Sequence, residues 1–136
     1  MCVTIILKNY LKDIPLIIGN NRDELSSRNF TPPCVISESP YIVGGIDLLK
    51  GGTWLGINEN NIVINILNKF KNGKNFFGSD KYRSRGILVS NLLKLDSMES
   101  VLKYLTNIPP HEYLPFFLII ADKEKVFFVE YDEDIN

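Results

Sequence analysis

Three times along this chain, two apolar runs rich in β-branched or aromatic residues flank a short polar break. That pattern specifies antiparallel hairpins: alternate residues of an extended run share a face, and a polar break lets the second run fold back on the first. The first pair is Met-Cys-Val-Thr-Ile-Ile-Leu, from Met1, and Pro-Leu-Ile-Ile-Gly, from Pro15, across Lys8 to Asp13. The second is Thr53-Trp-Leu-Gly-Ile-Asn and Ile62-Val-Ile-Asn-Ile-Leu-Asn, across a turn at Asn58 to Asn61. The third is Pro115-Phe-Phe-Leu-Ile-Ile-Ala-Asp and Val126-Phe-Phe-Val-Glu-Tyr, across Asp122 to Lys125. Phe116 to Ile120 is apolar on both faces, so its strand is expected to be central and buried.

Shorter signals fill the intervals. Pro32 and Pro33 forbid a central strand at their own positions, whereas Cys34-Val-Ile-Ser and Tyr41-Ile-Val read as short extended runs. Gly44-Gly45 and Gly51-Gly52 mark two tight bends. Arg83 to Leu95 is expected to be a helix, with Leu88, Leu92 and Leu95 on one face. Asp96-Ser-Met-Glu99 has the form of a capping box, with Asp96 as N-cap, opening a second helix that turns Val101, Leu102 and Leu105 inward and ends before Pro109-Pro110. Lys69 to Tyr82 is aperiodic and is expected to be a mobile surface loop. Antiparallel strands interrupted by a helical pair define an α+β chain with helices layered on a sheet.

Composition narrows the function. At 136 residues and 45% hydrophobic, the chain is one domain with a real core. A net charge of −1 without a long basic run argues against nucleic acid as a partner. Cys2 and Cys34 make neither a disulfide framework nor a metal pattern, and His111 adds nothing to one. No metal and no cofactor are expected, and a reducing, cytoplasmic compartment is. No apolar run is long enough to span a membrane, and the N-terminus lacks the signature of a signal peptide.

The first hairpin concentrates the chemistry. A turn centred near Tyr10 and Leu11 puts Cys2 opposite Asn20 and brings Asn21, Arg22 and Asp23 beside the N-terminus. If Met1 is removed, Cys2 carries a free α-amine, with a pKa of roughly 7.7–8.0, beside a thiol of about 8.5. That amine can take the thiol proton and leave a nucleophilic thiolate, and Asp23 can orient the amine. The alternative is a small residue buried in a strand. Cys34 is read as a structural thiol. Trp54 lines a binding cleft or simply packs on a sheet face.

Four separated motifs, Met1-Cys2, Asn21-Arg22-Asp23-Glu24, Gly51-Gly52-Thr53-Trp54-Leu55-Gly56 and Ser84-Arg85-Gly86, occur in an order that strongly resembles the NRDE family, the family of transport and Golgi organisation protein 2. The resemblance runs from Met1 to about Tyr131, and the chain looks like the N-terminal half of longer relatives. It implies an N-terminal-nucleophile-hydrolase-like αββα sandwich. By resemblance to the related cysteine amidases, Cys2 matches the nucleophile, Asp23 the acid that orients the α-amine, and Asn68 the oxyanion-hole asparagine. Arg22 and Arg85 are anchors for an anionic substrate group or, alternatively, structural ties to backbone carbonyls.

Two readings of function follow, and both stand at this point. One is a binding or trafficking protein in secretory-pathway and Golgi organisation. It would take a hydrophobic small molecule, haem or an acyl lipid, in a cleft near Trp54 and Phe76 or Phe77, and lie in the cytoplasm in association with Golgi or mitochondria. The other is a cysteine amidohydrolase cleaving a non-peptide amide. An isolated half-sandwich would also expose apolar strand edges and associate through them.

Overall fold

A computed structural model describes residues 2–69, 81–109 and 111–132. The chain is α+β. A two-stranded sheet pairs β1 (Val3–Leu11) with β2 (Ile14–Asn21). A six-stranded antiparallel meander follows in chain order: β3 (Cys34–Glu38), β4 (Tyr41–Gly44), β5 (Leu55–Asn58), β6 (Val63–Asn68), β7 (Phe116–Ala121) and β8 (Val126–Tyr131). Helices α1 (Arg85–Leu92) and α2 (Met98–Thr106) lie between β6 and β7 in sequence. All three expected hairpins form. The polar segment 69–82, read as a mobile loop, lies largely outside the described residues, as do Phe76 and Phe77.

Strand alternation sorts the six-stranded sheet into two faces. Ile64 and Ile66 of β6, with Phe116, Leu118 and Ile120 of β7, join Leu88, Val89, Leu92, Leu93 and Val101 in one buried cluster. On the opposite face Asn65 is fully buried and accepts a hydrogen bond at Oδ1 from Thr4 Oγ1 of β1 at 2.6 Å. The helices therefore cover one face and the first hairpin crosses the other. β7 is buried on both faces because it lies under both layers, as its sequence requires.

The first hairpin pairs two residues out of the expected alignment. Thr4, not Cys2, is opposite Asn20, because the chain reverses at Lys12-Asp13 after an irregularity between Lys8 and Leu11. A shift of two preserves the faces. Thr4, Ile6, Ile18 and Asn20 point to the sheet, whereas Val3, Ile5 and Leu7 point away and are 49%, 60% and 37% exposed.

The helices start where hydroxyl caps occur. Ser84 Oγ accepts from the Ile87 N–H, and α1 begins at Arg85. Ser97, not Asp96, is the N-cap of α2: its Oγ accepts from the Ser100 N–H, while Asp96 accepts from the Ser100 hydroxyl. The expected cap is thus displaced by one residue, and Glu99 falls in the first turn without closing a capping box. The end of α1 is held by Asn58, 4% exposed, whose Nδ2 donates to the carbonyls of Leu93 and Leu95 at 3.0 and 2.9 Å. Its Oδ1 accepts from the N–H groups of Asn60 and Ile62, so one side chain closes the β5–β6 turn and docks the helix on it.

The loop before β5 meets α1 backbone to backbone. The Thr53 N–H donates to the Gly86 carbonyl at 3.1 Å. Gly52 has φ +78°, and a Cβ there would fall 2.2 Å from the Gly86 carbonyl carbon. No side chain fits at Gly52, and no L residue favours that backbone. Gly52→Ala is expected to cost about 3 kcal/mol or more through displacement of α1. Ser97→Ala should cost about 1 kcal/mol and Asp96→Ala clearly less. Equilibrium unfolding of the three variants checks both expectations.

Candidate functional site at the open end of the first hairpin

The region where β2 ends is built around Asp47, which lies in the bend between β4 and β5 and is 6% exposed. Its Oδ1 accepts from the N–H groups of Leu49 and Lys50, each at 3.0 Å, and so shapes its own turn. Its Oδ2 accepts from Arg22 NH2 and Arg28 Nε, both at 2.7 Å. Arg28 also pairs with Glu24 at 3.0 Å. Burial raises the Asp47 pKa, but the Lys50 N–H, the Arg28 charge and the Leu49 N–H outweigh it, and the net shift is downward.

Arg22 and Trp54 are both engaged in this frame. The Arg22 guanidinium lies 4.6 Å from the Trp54 ring centre and 5.1 Å from that of Phe30, and the two rings meet edge to face at 5.5 Å. Gly45 makes room for the indole: a Cβ there would fall 2.5 Å from Trp54 Cη2. This is a cation–π stack closed by an ion pair, and it holds the chain leaving β2 against the β4–β5 bend.

Cys2 sits at the edge of the same segment. The Asp23 N–H donates to Cys2 Sγ at 3.3 Å, and the thiol faces the Asp23 carbonyl at 3.6 Å. Burial raises the thiol pKa, and Glu24 adds to the rise. With Met1 in place the Cys2 nitrogen is a peptide amide, and the thiol is held neutral near pH 7.

The orientation of β1 tells which end of the sheet Cys2 overlies. Thr4 bonds Asn65, and Lys8 Nζ donates to the Lys123 carbonyl at 2.9 Å. Lys123 follows β7, whose last residue, Ala121, pairs with Val63 at the start of β6. β1 thus runs from Asn65 toward Val63, and Cys2 lies on the Asn68 side. Arg85 reaches that end too: its NH1 donates to the Pro115 carbonyl at 2.9 Å, the same oxygen that accepts from the Lys69 N–H at 3.1 Å. Burial, reinforced by the nearby Arg28 charge, pulls its pKa down to about 10.

Asn65 and Asn68 differ in what they have left to offer. Both ends of the Asn65 side chain are used, since its Nδ2 donates to the Trp54 carbonyl at 3.0 Å. Asn68 makes no side-chain hydrogen bond among the described residues, and strand alternation gives it the parity of the helix face. Thr4, Asn20, Arg28, Asp47 and Asn65 position this end; of these the sequence pointed only to Asn20, and as the partner of Cys2 rather than of Thr4. A β-branched run followed by polar residues was the only trace of the Thr4–Asn65 link. Cys34 is a packing thiol, donating toward the Gly44 carbonyl at 3.7 Å. His111 is exposed in a loop with φ +65°. Among the described residues, no group of three His, Cys, Asp or Glu could hold a metal ion, and no helix is long and apolar enough to cross a membrane.

The arrangement defines an α+β protein whose N-terminal hairpin is tied to a meander sheet by the Thr4–Asn65 bond and by the Asp47 ion pairs at its open end. The family model described as transport and Golgi organisation 2 matches residues 1–134, and the chain belongs to that family. A search of curated proteins gave no match.

Asp47→Asn is expected to destabilise the fold by about 3 kcal/mol, because two guanidinium groups lose their shared anion. The folded-state pKa of Asp47 is depressed, so its contribution is present above the unfolded value of roughly 3.9 and is lost as pH falls through the folded value. The variant should therefore show a shallower loss of stability between pH 5 and about 2 than the parent. Urea unfolding across that range measures both effects.

Proposed function

We propose that this chain serves transport and Golgi organisation by binding a small molecule at the Cys2 end of the first hairpin, where Arg85 holds an anionic group of the ligand. One observation carries the reading. Among the described cations at this end, Arg22 pairs with Asp47, Arg28 with Asp47 and Glu24, and Lys69 with Glu130 and Asp132. Arg85 has one carbonyl and no carboxylate. A guanidinium drawn out of water without a counter-ion is costly and favours an incoming anion. Acyl lipids and haem, which join acidic groups to an apolar body, are cargo of this kind. Arg22 and Trp54 act here as supports, since they hold each other. The exposed Val3, Ile5 and Leu7 would give the hairpin a means to associate.

A second reading, a cysteine amidohydrolase, is favoured by the position of Cys2 beside Asp23, on the Asn68 side of the sheet. A helix layer, a six-stranded sheet and a hairpin also supply the α-β-β order with which an N-terminal-nucleophile αββα sandwich begins. On this reading Cys2, freed of Met1, attacks an amide carbonyl. Its amine takes the thiol proton and passes it to the leaving nitrogen, whereas Asn68, the expected oxyanion donor, has the parity of the opposite face, which counts against that role. Water then hydrolyses the thioester.

Alkylation of the native protein across pH, mapped by peptide mass spectrometry, separates the two. With Met1 retained, Cys2 should react more slowly at pH 7.5 than a free thiol, in line with its raised pKa. A Met1-free chain whose Cys2 reacts well below the pH of an ordinary thiol would favour the hydrolase. Arg85→Met tests the binding reading. It should change unfolding free energy by no more than about 1 kcal/mol, since it removes an uncompensated charge, yet abolish saturable binding of acyl carboxylates or haem at this end. A large loss of stability with binding intact would make Arg85 a structural tie.

A further inference from the structure

A second concave site lies on the helix side, away from the hairpin. It is an open groove of about 530 Å³ between α2 and the segment that follows it, lined by Leu95, Lys103, Tyr104, Ile108, Glu112 and Tyr113 among others. That volume is in the range of small-molecule sites.

One lining residue is a phenol with no hydrogen-bond partner among the described residues. Tyr113 is 2% exposed, with its ring edge-on to Phe116 and Tyr131. Tyr113 nonetheless lines the groove, beside Arg83, Tyr104 and Glu112. It makes no hydrogen bond among the described residues. As a phenol it can donate its proton to an acceptor lodged in the groove.

The charge of the groove gives the sign of that acceptor. Arg83 and Glu112 cancel: the guanidinium pairs with the carboxylate at 2.9 Å, and the Arg83 N–H donates to the Glu112 carbonyl at 2.9 Å. Lys103 has no acidic partner among the described residues. One uncompensated ammonium and one unpartnered phenol thus border a wall of Leu95, Ile108 and Pro109.

We propose that this groove binds a small amphipathic monoanion, whose carboxylate lies between Lys103 Nζ and the Tyr113 hydroxyl and whose apolar body rests on Leu95, Ile108 and Pro109. The ammonium supplies charge attraction and the phenol a directed hydrogen bond. The site is separate from the one around Arg85 and does not depend on that reading.

Titration of the ¹⁵N-labelled protein with 4-phenylbutyrate, and in parallel with 4-phenylbutylamine, tests it. The acid should shift backbone resonances of Ser100, Lys103, Tyr104, Ile108 and Glu112 saturably, and the amine should not. Lys103→Met should weaken the acid by about fivefold and remove most of its salt dependence. Tyr113→Phe should weaken it while the ring stays packed, and neither variant should alter shifts around Arg85. Equal binding of acid and amine, unchanged affinity in both variants, shifts confined to residues outside the groove, or no saturable shift by 10 mM would each overturn the proposal.

Discussion

A single carboxylate, that of Asp47, joins segments that are far apart in sequence. Burying it is unfavourable on its own, and what makes it favourable is the number of donors brought to it. Two backbone N–H groups reach Oδ1 and two guanidinium groups reach Oδ2. The donors on one side belong to the tight bend that ends in Gly51-Gly52, and those on the other belong to the chain leaving the first hairpin. The bend in turn lies on the first turn of α1 through Thr53 and Gly86. Asn-Arg-Asp-Glu, Gly-Gly-Thr-Trp and Ser-Arg-Gly are thus three parts of one joint. Much of what looks like a catalytic signature in those motifs is the mechanical means of holding a hairpin over a sheet.

This division bears on where chemistry can occur. Arg22 is stacked and ion-paired, and Trp54 is packed against Gly45 and Phe30, so both hold the joint together. Cys2 and Asn68 border the joint without being part of it. Arg85 is adjacent to it, close enough to feel Arg28 and Glu24, and among the described residues its one side-chain hydrogen bond is to Pro115. The groups left over once the structural network is satisfied are the ones with capacity for a partner.

The sequence disclosed local structure well and long-range pairing poorly. The hairpins, both helices and the buried strand at Phe116 to Ile120 follow from periodicity of 2 or 3.6, a property of each segment alone. The register of the first hairpin failed because its turn is at Lys12-Asp13 and carries an irregularity, and no glycine or proline marks it. The cap of α2 failed because Asp96 and Ser97 are both good caps, and only the backbone geometry chooses Ser97. Of the candidate site, Cys2 beside Asp23 was legible from hairpin topology. The Asp47 network was not, because an acidic residue near two glycines looks like any exposed turn until two arginines from elsewhere converge on it.

The thiol shows how the same environment serves two ends. The Asp23 N–H directed at Cys2 Sγ would favour a thiolate, whereas burial opposes one, and burial is the larger influence here. An α-amine on Cys2 would change that balance, since it moves the N-terminal charge, which already lowers the thiol pKa from one residue away, onto Cys2 itself. No rearrangement of the hairpin is needed for this, because the contacts of Thr4 with Asn20 and Asn65 fix β1 independently of what precedes Cys2. On the hydrolase reading, the state of the first peptide bond, and not a change of fold, would decide whether Cys2 becomes a nucleophile.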